Sequence, residues 1–280
     1  MGLKILYANQ FTTEELTDFY NQTRVDYLVP MPMSVAVMAE YIHDFDISLE
    51  NSPIIIDEKT EDFLGLGMLG VRGDRTWITR LGVTPASRRR GAGAAIMTSL
   101  FEASKKLKAK KTILEVIKNN TPAQSLFEKN GFKKTRELLV LRRAPIRPPL
   151  IPEGEITWLY RKDALDAIRS SPHHLTWVND IASMENASMF QGFRIQLKDG
   201  TRGWLVYRHK KRTLTHFEFN TERGSPVKMA RNILLFLHLQ YPRMDAYTEN
   251  FYADDPHIPA FFDLGYFEAF RRIEMIKEYS

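Results

Sequence analysis

Two periodicities of apolar residues divide the first half of the chain into helices and strands. Leu16, Phe19 and Tyr20 lie on one side of a helix that begins with a capping box, Thr12 with Glu15 three residues on. Short apolar runs bounded by glycine, proline or charged residues predict strands instead. The pattern predicts strands over residues 5–8, 53–57, 63–71, 76–83, 112–117 and 132–142, and further helices over residues 35–44, 91–108 and 121–130.

The second half predicts a similar series after a different start. Helices are expected over residues 163–170, 226–239 and 259–264, and strands over residues 193–197, 204–208, 214–219, 246–248 and 266–276. Both halves end on a short helix, a glycine and a strand, and Gly131 and Gly265 each follow an aromatic residue by four positions. We interpret this as a tandem of two α+β units, the second diverged. The alternative is that many α/β proteins share such an ending.

A proline-rich segment separates the two halves. Four of the residues between positions 145 and 152 are prolines, which makes the segment a stiff linker. We therefore place a first domain at residues 1–143, a linker at residues 144–154 and a second domain at residues 155–280.

Composition narrows the class of protein. The hydrophobic share is 44% and the charged share 26%, which is ordinary for a globular protein. The absence of cysteine excludes disulfides, thiolate metal sites and thiol nucleophiles. Without a signal peptide or a membrane-length apolar run, the chain is expected to be cytoplasmic and not to act at a membrane. The net charge of +5 comes without a nucleic-acid-binding motif, so nucleic acid is not expected as a partner.

The basic residues that change the picture are Arg88, Arg89 and Arg90. They stand between a predicted strand and a predicted helix and are followed by Gly91 and Gly93. The first amides of a helix are unpaired, glycine lets a ligand approach the backbone, and arginines add positive charge. This combination predicts a phosphate or pyrophosphate site. The P-loop ending and the third glycine of the dinucleotide fingerprint are both missing, which excludes those two motifs.

The spacing Arg-x-x-Gly-x-Gly, formed by Arg88, Gly91 and Gly93 after a strand that ends in Val83, resembles the acetyl-CoA-binding motif of the GNAT superfamily of N-acetyltransferases. A second signature of that family follows in the right order, at Leu114, Glu115, Val116, Asn120, Ala123, Leu126, Phe127, Gly131 and Phe132. The resemblance covers residues 3–142. It implies a GNAT-type fold, a mixed and mostly antiparallel twisted sheet flanked by helices.

The second half lacks the first of these motifs. Residues 220–226 contain one glycine, an acidic residue and a proline that has no amide to offer a phosphate. We therefore interpret residues 155–280 as a degenerate GNAT-like domain, which covers the acceptor groove or forms a homodimer face.

The resemblance also implies roles for single residues in the binding of acetyl-CoA, which serves as co-substrate without a metal. The backbone of Leu81, Gly82 and Val83 would hold the pantetheine arm and the acyl carbonyl, and Asn120 would bond the same arm near Phe127. The amides that would cradle the pyrophosphate are those of Arg88, Arg89, Arg90, Gly91, Ala92 and Gly93. The acceptor amine attacks the thioester directly in this family.

Two positions bear on catalysis. Phe127 stands where the family usually has a tyrosine that protonates the leaving thiolate, and phenylalanine has no proton to give. Either another group is the acid, or the thiolate leaves unassisted, or catalysis is weak or lost. Glu115 is the candidate base for the acceptor amine, as a matching glutamate is in the related ribosomal-protein N-terminal acetyltransferases. The alternative is a charge that only packs against a lysine.

Other polar residues are interpreted as structural. Tyr27, Tyr41, Asp44 and Asp46 lie where the family builds its acceptor site, but each reads as a surface residue. The remaining clusters are expected in a surface loop (His173 and His174), in a turn with metal-like ligands (residues 254–257) and in a hairpin turn (residues 208–212).

The predicted function is an N-acetyltransferase that acts on a primary amine of a small molecule or a peptide. A non-catalytic acyl-CoA-binding regulator and a scaffold that keeps only the fold are the alternatives. Aminoglycosides, polyamines, amino acids, mycothiol-type precursors and protein N-termini are all acceptors in the superfamily, and fold does not choose among them.

Overall fold

The computed structural model describes residues 2–148, 150–172 and 175–279, and the chain divides into two compact units. Unit 1 comprises Met1–Thr135 with Glu274–Ser280, and unit 2 comprises Arg136–Ile273. The domain limits drawn from the sequence, with a linker at residues 144–154, stay a prediction. His173 and His174 lie outside the described residues.

Unit 1 is built from a sheet and four helices. Its strands are β1 (Leu3–Tyr7), β2 (Pro53–Asp57), β3 (Phe63–Arg72), β4 (Arg75–Val83) and β5 (Lys111–Ile117). Its helices are α1 (Thr13–Gln22), α2 (Val35–Asp44), α3 (Ala92–Lys106) and α4 (Thr121–Lys129). β1 to β4 pair antiparallel in chain order, and β5 joins β4 in parallel. The capping box predicted at Thr12 is confirmed, since Thr12 Oγ1 accepts a hydrogen bond from the Glu15 amide.

Unit 2 has the same kind of sheet. In chain order its elements are β6 (Lys133–Arg143), β7 (Glu155–Leu159), α5 (Arg161–Arg169), α6 (Ile181–Asn186), β8 (Gln191–Gln196), β9 (Arg202–Lys210), β10 (Thr213–Arg223), α7 (Pro226–Gln240), β11 (Asp245–Tyr252), α8 (Ile258–Asp263) and β12 (Phe267–Glu278). The sheet order is β6-β11-β10-β9-β8-β7, and β10 and β11 are its parallel pair. The predicted α+β class with a mixed, mostly antiparallel sheet in tandem is confirmed.

The last strand of each sequence half joins the sheet formed by the other half. β6 follows α4 in the chain, but its residues Leu138 to Arg143 pair antiparallel with β11 of unit 2. The end of β12, beyond Ile273, belongs to unit 1 beside β5. There the Tyr279 amide donates to the Lys110 carbonyl at 2.8 Å, and the Tyr279 hydroxyl lies 2.9 Å from Thr112 Oγ1. Each unit is thus completed by a strand that follows the last helix of the other half of the sequence.

Three sequence-based assignments in the second half need correction. β7 and α6 were not predicted, because both are short and β7 is largely exposed, which leaves little apolar periodicity to detect. The basic cluster at residues 208–212 does not lie wholly in a turn. Arg208 is in β9 and only 4% exposed, and the turn between β9 and β10 is formed by Lys211 and Arg212.

Close packing of α3 on the sheet positions the start of that helix. A Cβ added at Gly67 of β3 would lie 2.6 Å from Ile96 Cγ2, so only glycine lets the helix approach so closely. Ile96, Met97 and Leu100 form the buried face of α3, as the helical spacing predicts. The amino end of α3 therefore sits just after the end of β4.

Candidate active site

The central feature of unit 1 is the separation of β4 and β5. Their parallel register runs from Arg75 with Lys111 to Ile78 with Leu114 and stops there. Beyond this point Arg80 has a φ of 52° and forms a bulge with Leu81. A bulge bends its strand. The end of β4 consequently leaves β5, and a groove opens between the two strand ends.

The loop after β4 leads into an α3 whose first amides have no side-chain cap. Gly91 is the N-cap residue, with a φ of 86°, and Arg89 also has a positive φ of 63°. The helices α1, α2 and α4 are capped by Thr12, Ser34 and Asn120, whose side chains accept from the third helical amide. Because uncapped helix amides attract anions, the start of α3 suits a phosphate.

The structure brings the two sequence signatures together. A Cβ added at Gly93 would lie 3.7 Å from Val83 Cγ2 and 3.9 Å from Leu126 Cδ2. The end of β4, the first turn of α3 and the inner side of α4 therefore meet at one place. The sequence predicted this convergence, although the roles of Val83, Ala92 and Gly93 in cofactor binding stay predictions.

Of the three arginines before α3, Arg88 has a partner that the sequence did not reveal. Its guanidinium donates two hydrogen bonds to the Asp26 carboxylate, at 2.6 and 2.5 Å. These bonds hold the pKa of Asp26 below its usual range. The side chains of Arg89 and Arg90 are exposed. The loop is thus anchored at Arg88, and the next two arginines face solvent.

The segment after α1 closes against the end of β4. Arg24 Nη2 donates to the Leu81 carbonyl at 3.0 Å. A Cβ added at Gly82 would lie 2.4 Å from Thr23 Oγ1, so a side chain at position 82 would push this segment away. Gly82 is therefore needed here for close approach of two backbone segments.

Glu115 lies on β5 directly after the last residue that pairs with β4. It is half-buried, and the indole N–H of Trp77 donates to its Oε2 at 2.6 Å. Trp77 is on the neighbouring strand, so this bond orients the carboxylate at the opening of the groove. The position suits a proton acceptor for a group that enters the groove.

The surface interpretation is wrong for Tyr41 and Asp44, which are 7% and 5% exposed. The reason is that α2 turns this face toward the sheet, where Tyr41 packs against Phe45 and Trp77 with ring centroids 4.9 and 6.1 Å away. The Tyr41 hydroxyl lies 2.6 Å from Thr79 Oγ1. Burial raises the pKa of Tyr41 to about 12, so the phenol keeps its proton at neutral pH.

A row of stacked side chains flanks the same bulge, and sequence reasoning missed it. The Arg24 guanidinium lies 4.9 Å from the Tyr20 ring centroid and 4.3 Å from that of Tyr27. The Arg80 guanidinium lies 5.4 Å from Tyr20 and 4.1 Å from Tyr41. An aromatic ring attracts a cation placed over its face through an electrostatic interaction. The spacing of Tyr20 and Arg24, one helical turn apart, was the available signal.

The remaining predicted residues of the second signature serve the local fold. Asn120 Oδ1 accepts a hydrogen bond from the Ala123 amide at 3.3 Å and so caps α4. Phe127 is 6% exposed, and its ring packs edge-on against Phe132 with centroids 6.0 Å apart. Their predicted contacts to the pantetheine arm stay predictions.

Within the part of the chain that the structure describes, no helix is long and apolar enough to cross a membrane. Nor do the described residues contain a group of three or more histidine, aspartate or glutamate side chains placed to hold a metal ion. The turn over residues 254–257, which carries metal-like ligands, is instead closed by Asp255 Oδ1, which accepts from the His257 amide at 2.8 Å.

Residues 13–132 match the model of the acetyltransferase (GNAT) family. These residues form a GNAT domain. The match contains the whole groove described above, from α1 through α4 to Phe132. No curated protein sequence matches the chain.

Solved structures extend the likeness to the second half. A GCN5-related N-acetyltransferase from Sphaerobacter thermophilus superposes with a TM-score of 0.73 at 13% identity, over 99% of this chain and 95% of its own. A tandem GNAT protein from the clavulanic acid biosynthesis pathway gives 0.67 at 13%, over 99% and 98%. A GCN5-related N-acetyltransferase from Anabaena variabilis has a TM-score of 0.59 at 14% identity, over 99% of this chain and 73% of its own. At these identities the likeness concerns the fold, and the second half has that of a second GNAT-like domain.

Proposed function

We propose that this protein is an N-acyltransferase that moves an acetyl group from acetyl-CoA to a primary amine. One observation carries the proposal: the groove between β4 and β5 opens beside the uncapped start of α3, with Glu115 at its mouth. The GNAT domain of residues 13–132 supports acyl transfer as the reaction class. We further propose a cytoplasmic location and a small-molecule or peptide acceptor.

The groove has the chemistry that acetyl-CoA requires. The amides at the start of α3 suit the pyrophosphate, and the exposed Arg89 and Arg90 add charge for it. The edge of β4 beyond Thr79 has left its parallel neighbour, so an extended pantetheine arm can lie along it as a strand would, although the Leu81 carbonyl already accepts a hydrogen bond from Arg24. Gly91 and Gly93 keep side chains out of this path.

The reaction follows from these positions. An amine is mostly protonated near pH 7, so it must lose a proton before it attacks. Glu115, oriented by Trp77, accepts that proton. A bond forms between the amine nitrogen and the acyl carbon, and the bond between that carbon and sulfur breaks. Phe127 supplies no proton, and the sulfur departs as the thiolate, whose pKa is near that of cysteine, about 8.5. The nitrogen loses its second proton as the C–S bond breaks, and this proton goes to solvent or to the released thiolate.

Phe127 is also the observation that favours a second candidate, a non-catalytic acyl-CoA-binding regulator. Its ring is buried against Phe132, in the place where the resembled family has a tyrosine proton donor. Both candidates bind acetyl-CoA, and only the enzyme releases CoA in the presence of an amine.

Calorimetric titration of acetyl-CoA into the wild type and Gly91→Glu tests the proposal. The variant puts a negative charge and a strained backbone at the phosphate site, and we expect its affinity to fall by about 100-fold. Gly265→Glu is the matched control, because Gly265 has a φ of 85° and a Cβ there meets nothing within 4 Å. This control should bind like the wild type.

A thiol-release assay with a panel of primary amines then separates the candidates. Release of CoA above the hydrolysis rate supports the enzyme. Binding without release for every amine supports the regulator. A wild type that does not bind acetyl-CoA contradicts both, and the protein would then be a scaffold with the GNAT fold.

A further inference from the structure

Unit 2 contains a pocket where its own parallel strands separate. β10 and β11 pair in parallel only from Thr213 to Thr215. Beyond this point the two strands diverge, and a pocket of about 350 Å³, its open mouth included, lies between them. The segment around Thr176 and Asn179 forms its third wall.

The backbone of this region repeats that of unit 1. Between the paired residues Thr215 and Glu218, two residues of β10 face one residue of β9, and the first of them, His216, has a φ of 52°. In β4 the same bulge lies between Thr79 and Gly82. Glu218 therefore occupies the place that Gly82 has in unit 1.

Two oxygen atoms of the pocket wall, one from a hydroxyl group and one from a side-chain amide, have no hydrogen-bond partner. Thr176 and Asn179 are 2% and 3% exposed, and Thr176 Oγ1 and Asn179 Oδ1 are both buried without a partner. Asn179 Nδ2 donates to the Glu249 carbonyl at 3.0 Å. This bond fixes the orientation of the amide, so its oxygen is an acceptor that awaits a donor. Unsatisfied buried oxygens are uncommon in folded proteins.

Glu218 adds a carboxyl group to the same pocket. It is 8% exposed, and burial followed by the charges of Asp255 and Asp180 raises its pKa well above the usual range. Both of those charges are negative. Within the described part of the chain, no hydrogen bond is made to the Glu218 carboxyl. A buried carboxyl beside two other carboxylates is stabilised in its charged form by a cation.

Aromatic side chains form much of the remaining lining, which also includes Leu175, Asn250 and Asp255. Phe217, Phe219 and Phe251 contribute rings, and Phe219 packs against Phe251 with centroids 5.3 Å apart. Asp255 is held in place through His257, whose Nδ1 lies 2.7 Å from Asp255 Oδ1. Aromatic faces attract cations and also accept an apolar ligand body.

We propose that this pocket binds a small organic ammonium ion, with the ammonium group between Glu218, Thr176 and Asn179 and the apolar body against the phenylalanine rings. A primary ammonium has three N–H donors and no acceptor, which matches a site rich in oxygens. An anion is disfavoured by the same carboxylates. The proposal concerns unit 2 alone and does not depend on acyl transfer in unit 1.

A pyrophosphate would not suit this region. The α7 start that follows β10 is capped by its own Ser225, whose side chain accepts from the Lys228 amide at 3.4 Å. Pro226, at the first helical position, has no amide. The site thus differs in ligand chemistry from the groove of unit 1.

The test compares three probes of equal size and different charge: benzylammonium, benzyl alcohol and benzoate, titrated calorimetrically into the full chain. In the wild type we expect benzylammonium to bind in the millimolar range or tighter, about tenfold better than benzyl alcohol, with benzoate weakest. In Glu218→Gln the preference for the cation should vanish. Glu155→Gln, which changes an exposed glutamate of β7, should keep it.

A second variant guards against loss of folding. Thr176→Val replaces the orphan hydroxyl by a methyl group of the same shape, which should not destabilise the free protein and should weaken benzylammonium about threefold. Equal binding of cation and alcohol by the wild type overturns the proposal. So does a cation preference that survives Glu218→Gln, or no binding of benzylammonium by the folded wild type.

Discussion

The two units carry the same backbone bend and line it with opposite chemistry. In each, a bulge whose first residue has a φ of 52°, Arg80 or His216, lies at the point where two parallel strands part. The bend makes Gly82 of unit 1 equivalent to Glu218 of unit 2. In unit 1 this position has no side chain and lies close to Thr23, and in unit 2 it carries a buried carboxyl that lines a pocket.

The helices that follow the bends differ in the same sense. α3 starts at Gly91 without a side-chain cap, whereas α7 starts with Pro226 and is capped by Ser225. The short helices α4 and α8 begin after Asn120 and His257, and His257 Nε2 lies 2.7 Å from Thr221 Oγ1 at the end of β10. The contrast is therefore confined to α3 and α7, the first helix of each pair, because in the second pair α4 is capped by Asn120 and α8 has no side-chain cap.

The fold supplies the opening in both units, and we propose that a few side chains decide which ligand enters it. A glycine at the bend and an uncapped helix suit an extended anionic ligand. A glutamate and a self-capped helix suit a compact cation. The following variants test this division, from the largest expected effect to the smallest.

Gly82→Glu gives unit 1 the residue of unit 2 and should have the largest effect. The new side chain would meet Thr23 at 2.4 Å and place a carboxylate in the groove. We expect acetyl-CoA affinity to fall by about 100-fold or more, as for a buried unpaired charge of roughly 3 kcal/mol. Calorimetry measures this, with Gly73→Glu as control, because a Cβ at Gly73 meets nothing within 4 Å. Near-normal affinity in a folded Gly82→Glu protein would contradict the assignment of the groove.

Glu115→Gln should lower kcat/KM for acetyl transfer by about 100-fold through loss of a general base. The affinity for acetyl-CoA should stay unchanged, because the amide is isosteric and lies at the mouth of the groove. Steady-state kinetics over a range of amines and a parallel calorimetric titration separate the two effects. Trp77→Phe, which removes the indole N–H that donates to Glu115 together with part of a buried ring, should cost about fivefold. Full activity of Glu115→Gln would exclude Glu115 as the base.

Tyr41→Phe tests the contact that fixes the bulge of unit 1. It removes the hydrogen bond between Tyr41 and Thr79 and should lower the free energy of unfolding by about 1 kcal/mol. Urea denaturation followed by circular dichroism gives the value. Tyr160→Phe is the control, since Tyr160 is 82% exposed and should show no change. An unchanged stability of Tyr41→Phe would mean that this hydroxyl does not hold α2 to β4.

Glu218→Gln should differ from the wild type in Tm, and this difference should change by a few degrees with pH. The folded pKa of Glu218 is raised, so the folded state holds the proton more tightly than the unfolded state. This contribution is complete below the unfolded pKa of about 4.3 and declines as pH rises through the folded value. Gln has no proton to lose in this range, so the stability of the variant relative to the wild type should increase as pH rises above about 4. If the difference in stability between Glu218→Gln and the wild type changed with pH no more than that of Glu155→Gln, the pKa of Glu218 would be ordinary.

Much of the candidate site could be predicted because its parts are local. The strand that ends at Val83, the glycines before α3 and the glutamate on β5 are each read from a few neighbouring residues. Their convergence at Gly93 follows from the order of strands and helices. The missed contacts join distant positions: Asp26 pairs with Arg88, 62 residues away, and Arg24 reaches Leu81 from 57 residues away.

Burial of single polar residues was the weakest inference from sequence. Tyr41 and Asp44 read as surface residues, because the pattern of α2 alone does not say which of its sides meets the sheet. Glu218 sits in a strand where alternation makes a charged side chain look solvent-facing, yet the bulge turns it inward. The pocket of unit 2 is likewise assembled from segments about 40 residues apart in sequence, and no local motif marks it.

The sequence by itself determined the α+β class, the tandem of GNAT-like halves and the position of the glycine-containing turn before α3, because each depends on local periodicity, capping and glycine. Only the tertiary structure decided that β6 completes the sheet of unit 2 and that the end of β12 completes that of unit 1. The pattern of apolar residues in a strand is the same whichever sheet the strand joins. Its partner depends on which unpaired strand edge lies beside it in the folded chain. The same holds for the two bends: the backbone is alike, and only the tertiary structure shows which side chains face each opening.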